Sequence, residues 1–337
     1  MKKIIFYIVI GAIFGAATFI VPRYLNESKK SVGEKSVLFI PLDASYSQVL
    51  DSVSTAVMHM ESFNKVASRA NLESTFKPGR YVFTPDNSNK DIVRMLQHGW
   101  QSPMMLTLSG NIRGMEKLSG ILGKKLACDS AEFAQYFASE EVWKDNGFEK
   151  ETFMAMFLPN TYEVYWTITP GKFVERMKKE YDKFWNEGRL EKAKAIGLSP
   201  VEVSILASIV CEETNYTPEM PRVAGVYMNR LNKGMKLDAD PTVKFALGDP
   251  SIRRILFRHL EVDSPYNTYL YAGLPPGPIT IPSIRGIDAV LDYEHHNYLY
   301  FCANANMDGT HKFAGTLSEH NRNARAYQAA LNKLKIR

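Results

Sequence analysis

The residue with the strongest claim to chemistry is Glu213, near the end of Ser199–Asn215, SPVEVSILASIVCEETN. Its i−3, i−4 and i−7 neighbours are Val210, Ile209 and Leu206, all apolar, and on a helix those positions share its face. Glu212 has Ile209, Ser208 and Ile205 there, a slightly more polar setting, so Glu213 is the carboxyl expected on the buried side. Burial disfavours the charged carboxylate, and the negative end of the helix dipole acts in the same sense. A carboxylic acid that keeps its proton near neutral pH is what general-acid chemistry needs. A helix-end acid paired with an arginine is the other reading of the same residues, since ion pairs also perturb a pKa.

Other chemistries find less support. His295, His296, His311 and His320 occur without HExxH or any metal-ligand spacing, so no metal or other cofactor is expected. Cys211 falls mid-helix, where a small buried residue is the simpler reading than a nucleophile served by His311 or His320. Neither GxSxG nor a phosphate-binding glycine loop occurs. Carboxyl chemistry on a polymer is left. Tyr162, Tyr165, Tyr266 and Tyr269, with the stiff loop Gly273–Ile279 that contains Pro275 and Pro276, suit the walls of an extended groove, because sugars stack on aromatic faces. Each tyrosine singly fits core packing as well. Asn229, Asp240 and Asn267 can supply hydrogen bonds in such a groove.

Several ordered motifs carry a family resemblance. SIVCEET, VAGVYMNRL (Val223–Leu231), GMKLDADPTV (Gly234–Val243), PYNTYLYAGLPPGPI (Pro265–Ile279), YLYF (Tyr298–Phe301), HKFAGTLSEHN (His311–Asn321) and FLPNTYEVY (Phe157–Tyr165) resemble the endolytic murein transglycosylases of the MltG (YceG-like) family. The resemblance covers the whole C-terminal half in order. It implies cleavage of β-1,4 bonds between MurNAc and GlcNAc inside peptidoglycan glycan strands, leaving 1,6-anhydro-MurNAc ends, with nascent strands trimmed or terminated. The family's catalytic glutamate, the second acid of its E-x-E-T motif, falls on Glu213. The first acid falls on Cys211, a departure from the pattern; Glu213 and Thr214 are kept, so an active enzyme is expected. Thr268, Pro275, Pro276, His311 and Glu319 lie inside the shared motifs and join Asn229, Asp240, Tyr266 and Asn267 as expected substrate-binding residues. Peptidoglycan synthases at the inner membrane are the partners the resemblance implies. Two rival readings stay open: a non-catalytic glycan-binding or scaffold protein of the envelope, and a hydrolase using Glu213 with Asp240. A hydrolase needs two carboxylates. A lytic enzyme needs one, because the sugar's own C6 hydroxyl is the nucleophile.

These residues must be positioned by surrounding elements. Ser199 with Glu202 makes a capping box and Pro200 suits the first helical position. The body Val203–Val210 is apolar on nearly every side, as in a buried helix. Helices are expected over Pro221–Asn232, stopped by Gly234, and from Asp240-Pro241 to Gly248. Strands are expected over Tyr298–Ala303 and His311–Phe313, with a C-terminal helix from the Thr316/Glu319 box to about Leu334. Upstream, Met104–Leu108 reads as a strand, and Asn111–Lys125, Ser130–Phe137 and Phe173–Trp185 as helices.

The 337 residues are 45% hydrophobic and 23% charged, with a net charge of +5. That is a globular balance, with Lys and Arg too dispersed for nucleic acid to be a partner. Three widely spaced cysteines argue against a disulfide framework. Ile4–Val21 is an uncharged 18-residue stretch after Lys2-Lys3, about 27 Å as a helix and enough to cross a bilayer core. Pro22 and Arg23 end it, and an uncleaved anchor is favoured over a signal peptide, since no A-x-A site follows. The expected organisation is α+β: a single transmembrane helix with its cytoplasmic tip (1–25), a tether (26–36), a small LysM-like α+β module (37–103) and a larger α+β catalytic domain (104–337). The catalytic domain is expected on the periplasmic side of the inner membrane.

Overall fold

A computed structural model describes residues 2–249, 252 and 254–333. The chain divides into two compact units. The smaller comprises residues 1–106 with 125–128 and 163–169; the larger comprises 107–124, 129–162 and 170–337.

The smaller unit opens with a helix over Lys2–Ser28, whose segment Val9–Ser28 is long and apolar enough to cross a membrane. Pro22 lies inside this helix and does not end it. A proline costs a helix one hydrogen bond and a steric kink, but here the last turns are held from outside. Ser62 donates to the Asn26 side chain at 2.9 Å, Asn89 donates to the Asn26 carbonyl at 2.9 Å, and Lys90 pairs with Glu27 at 2.8 Å. The expected tether over 26–36 is therefore ordered: Lys30 and Val32 bridge to Ser88 and Val57, and Ser31 and Val32 are buried.

Strand Ser36–Ile40 pairs antiparallel with Gly79–Phe83, Leu38 opposite Tyr81. Helices Tyr46–Ser54, Met60–Arg69 and Leu72–Thr75 lie between them in sequence, and Asn89–His98 follows. Ser88 caps that last helix through a capping box with Asp91, and Gly99 ends it at φ 65°, where a side chain would be strained. Helix Tyr46–Ser54 ends before Val57, which leaves to bridge Val32. Ile40, Phe63, Tyr81, Phe83 and Leu96 are fully buried and form the core of the unit.

The larger unit is built on helix Pro200–Glu213. Glu202 accepts from the Ser199 amide at 2.7 Å and Ser199 accepts from the Glu202 amide at 3.3 Å, the predicted capping box. Every residue from Val203 to Cys211 is buried. Helices Glu187–Ala195, Met220–Asn232, Asp240–Leu247 and Ile284–Leu291 pack around it. Ile284–Leu291 approaches so closely that a Cβ on Gly286 would collide with the Cys211 sulfur. The helix expected from Asn111 begins only at Met115. Asn111 takes φ 64°, and the Asn111 and Ile281 amides are spent on Ile281 and Ile112 carbonyls, each at 3.0 Å. Ala239, not Asp240, caps helix Asp240–Leu247, so Asp240 opens its first turn. Hairpin Tyr300–Ala303 with His311–Ala314 pairs Ala303 with His311 and leads into helix Leu317–Lys333. The expected helix end at Leu334, like Met1, lies outside the described residues.

Candidate active site

Glu213 is the last residue of the buried helix; the chain turns extended at Thr214, with φ −143° and ψ 135°. A short 3-10 turn, Thr217–Glu219, reverses direction and lays Met220–Asn232 against the first helix. That return brings Tyr227, itself buried, to Glu213: the phenol donates to Oε1 at 2.6 Å. The Tyr227 ring stands edge-on to Phe301 at 5.9 Å, and burial pushes its pKa well above the ordinary phenol value, so it stays a donor.

The Glu213 carboxyl is partly exposed towards open clefts and enclosed by protein elsewhere. Desolvation by that enclosure pushes its pKa up to about 7, the Tyr227 hydrogen bond opposes it, and the negative charges of Asp240 and Glu212 reinforce it. Arg230 pulls the other way. Near neutral pH both protonation states are populated, which suits a group that must give and then take a proton.

Three clefts meet at this carboxyl. One, about 470 Å³, is lined by Tyr227, Asp240, Tyr269, Tyr300, Phe301 and His320 among others. A second, about 640 Å³, runs past Thr214, Tyr216, Asn304 and His311. A third, about 500 Å³, runs past Arg113, Glu212, Asp240 and Lys244. Glu213 thus sits inside a branched groove and not at the end of a pocket.

The expected binding residues separate into two groups. Asp240 and His311 line clefts with Glu213. Tyr269 donates to Asp240 at 2.7 Å. The buried Glu219 carboxylate holds His311 at both its backbone amide (3.0 Å) and Nδ1 (2.8 Å), fixing the edge of the hairpin. The rest are committed elsewhere. Asn229 donates to the His296 and Tyr298 carbonyls at 2.7 and 2.9 Å. Asn267 is fully buried and donates to the Leu260 and Val262 carbonyls, both at 2.8 Å. Buried Thr268 accepts from the Ala239 amide at 3.0 Å and meets Thr242 at 2.9 Å, so it sets the turn that presents Asp240. Tyr266 packs on Phe245 at 4.7 Å. Pro275 is buried and Pro276 exposed, and neither lines these clefts; the proline loop is docked by the Ile279 amide donating to Ser208 at 3.0 Å. Glu319 accepts from the Gly315 amide at 3.1 Å and caps its own helix, while its neighbours Leu317 and His320 reach the groove.

Cys211 points away from the groove, 3.3 Å from the Ser283 hydroxyl, and burial pushes its thiol pKa up. Tyr227, Arg230, Glu219 and Tyr300 are residues that sequence reasoning did not single out. Arg230, buried, ties the groove wall together through the Leu299 and Leu237 carbonyls (2.7 and 2.9 Å) and Asp238 (2.9 Å). No group of three or more His, Cys, Asp or Glu able to hold a metal occurs among the described residues.

Comparison with known proteins places the chain in a recognisable group. The YceG-like family model matches residues 38–326. A Bacillus subtilis (strain 168) protein named endolytic murein transglycosylase is 41% identical over 128 residues, 38% of this chain and 35% of the relative. A Streptococcus pneumoniae (strain D39) protein of the same name is 24% identical over 95% of this chain and 64% of its own length. The chain therefore spans less than two thirds of each of these relatives. A 2.6 Å crystal structure of a yceG-like protein from Listeria monocytogenes superposes with a TM-score of 0.55 at 28% identity, covering 86% of this chain and 98% of that one.

Proposed function

The chain belongs to the YceG-like family, and we propose that it is an endolytic peptidoglycan lytic transglycosylase with Glu213 as its single catalytic carboxyl. The observation that carries this reading is the position of Glu213: a carboxyl with a pKa near 7, held by Tyr227, at the meeting point of three clefts. A groove continuing on more than one side of the acid suits cleavage within a strand. The names of the Bacillus and Streptococcus relatives support the same activity.

The chemistry follows from one acid. Protonated Glu213 gives its proton to the glycosidic oxygen as the bond to MurNAc C1 breaks. The C6 hydroxyl of the same MurNAc attacks C1 from within the ring system, an intramolecular step favoured by proximity. The Glu213 carboxylate takes the C6 hydroxyl proton. One C–O bond breaks, one forms, no water is consumed, and the acid is regenerated. Tyr227 keeps the carboxyl aimed through both transfers.

Asp240 gives the hydrolytic reading its one specific support, since it lines two of the clefts beside Glu213. Digestion of purified sacculi separates the two by product mass: anhydro ends for the lytic route, reducing ends heavier by one water for hydrolysis. Glu213→Gln should abolish anhydro products while leaving a folded protein; substantial residual activity removes Glu213 from the role. Binding to sacculi without soluble products would instead support the scaffold reading.

We further propose that Lys2–Ser28 anchors the protein in the inner membrane with the larger unit on the side where peptidoglycan lies, near the synthases that extend the strands. The smaller unit, strand, helices, strand and helix in order, is proposed as a LysM-like glycan-binding module. Sedimentation of residues 30–106 with purified sacculi tests that assignment.

A further inference from the structure

The clefts that meet at Glu213 differ in chemistry. The Tyr300 side is lined by aromatic and aliphatic surface, including Leu237, Phe301 and Leu317. The Glu212 side is lined by Arg113, Lys244 and Arg254 facing Glu212, Glu213 and Asp240. Arg113 is held firmly: its segment is bridged to Ile281, and its guanidinium pairs with Glu212. Lys244 stands on the second turn of Asp240–Leu247, whose start is fixed by Thr268. Among the described residues no ion pair engages Lys244 or Arg254, although acids and bases pair throughout the larger unit.

The charge count is informative. Three cations face two carboxylates, Glu212 and Asp240, and a third, Glu213, that stays largely protonated below about pH 7. The cleft carries about one uncompensated positive charge. In a stem-bearing strand the backbone itself offers nothing to balance it, because the lactyl carboxyl of MurNAc is tied up in the amide to the peptide. Glycan strands of the wall, however, carry peptides on the lactyl group of MurNAc, and those peptides end in carboxylates. We propose that the Arg113–Lys244–Arg254 cleft is a subsite for a stem-peptide carboxylate, so that the groove accepts a strand in one direction and prefers strands still bearing peptides. A net charge near one suits a single carboxylate. The inference rests on the lytic reading of the groove.

The test compares stem-bearing glycan strands with strands stripped of peptides by an amidase, whose only carboxylates are the freed lactyl groups close to the sugar, out of register with a subsite built for the peptide. Wild type should prefer stem-bearing strands in kcat/KM, and Lys244→Gln/Arg254→Gln should reduce that preference about tenfold, the size expected of two charge contacts in reach of solvent. The change should appear in KM and not in kcat. The charge-conserving pair Lys244→Arg/Arg254→Lys should restore the preference. A wild type indifferent to stems, or a double variant that loses equally on both substrates, overturns the proposal. A second arm needs no turnover: Glu213→Gln protein should bind stem-bearing oligosaccharides more tightly than stripped ones by calorimetry. If that preference holds while no anhydro ends form with wild type, the lytic reading fails and the subsite stands; if anhydro ends form without any preference, the subsite fails alone.

Discussion

The Tyr227 phenol lies 2.6 Å from Glu213 Oε1, although the two residues belong to different helices, Met220–Asn232 and Pro200–Glu213. The contact sets opposing effects on one proton. Burial favours the neutral acid, and the phenol donor favours the carboxylate. Tyr227→Phe removes the effect that holds the pKa down. The alkaline limb of the pH–kcat/KM profile should move to higher pH by about one unit, and kcat should fall about tenfold as the carboxyl loses its orientation. A profile that stays in place while kcat falls would assign Tyr227 to packing alone.

The same raised pKa has a consequence for stability. Glu213 has an ordinary value of 4.5 and a folded value of about 7, so between those values the folded state binds more protons than the unfolded. Stability from this group is fully present below about pH 4.5 and is lost as pH rises through 7. Glu213→Gln removes the charge that is costly at high pH. The variant should unfold a few degrees above wild type at pH 8, corresponding to about 1–2 kcal/mol once exposure to the clefts is allowed for, and the difference should vanish at pH 4. Thermal scans at the two pH values check this, and equal shifts at both would contradict the burial of the carboxyl.

Much of this arrangement was legible in the chain. The capping box at Ser199, the apolar body of the helix and the buried side for Glu213 follow from i, i+3 and i+4 spacing, which is local. Asn229 and Asn267 were expected in the groove because a polar side chain looks the same in sequence whether it meets a ligand or a carbonyl. Their actual partners, His296, Tyr298, Leu260 and Val262, are fixed by loops with no periodicity to read. Tyr227 escaped notice for the related reason that its contact crosses between helices. The helix over Ile284–Leu291 was missed because its eight residues follow a proline loop whose stiffness dominates the local pattern.

Asn267 tests the distinction between wall and ligand. Asn267→Ala leaves the part-buried Leu260 and Val262 carbonyls without their donor and opens a gap where the fully buried Asn267 side chain stood. The cost should be about 2–3 kcal/mol in urea unfolding, with KM of the folded fraction close to wild type. A rise in KM at unchanged stability would return Asn267 to the groove.

Cys211 occupies a place where packing decides. Gly286 lies against its sulfur with no room for a Cβ. Gly286→Ala should therefore destabilise the protein by about 2 kcal/mol or more through overpacking, and Cys211→Ala in the same chain should recover most of that loss. Activity of the folded double variant should remain within about threefold of wild type, since neither side chain lines a cleft at Glu213. Additive losses in the double-mutant cycle would show that the two positions do not touch.

Asp240 acts on Glu213 in the opposite sense to Tyr227. Its carboxylate is held by the Tyr269 phenol at 2.7 Å, and its negative charge raises the Glu213 pKa. Asp240→Asn keeps the shape and removes the charge, so the alkaline limb should move to lower pH, against the direction produced by Tyr227→Phe. A developing positive charge at MurNAc C1 would also lose a nearby anion, and kcat should fall about 10- to 100-fold. The product remains an anhydro end if Asp240 only stabilises charge, because the C6 hydroxyl still supplies the nucleophile. Loss of a reducing-end product on the same substitution would identify Asp240 as the base that activates water and move the enzyme to hydrolysis. Measuring both the pH limb and the product mass on one variant separates its electrostatic role from a chemical one.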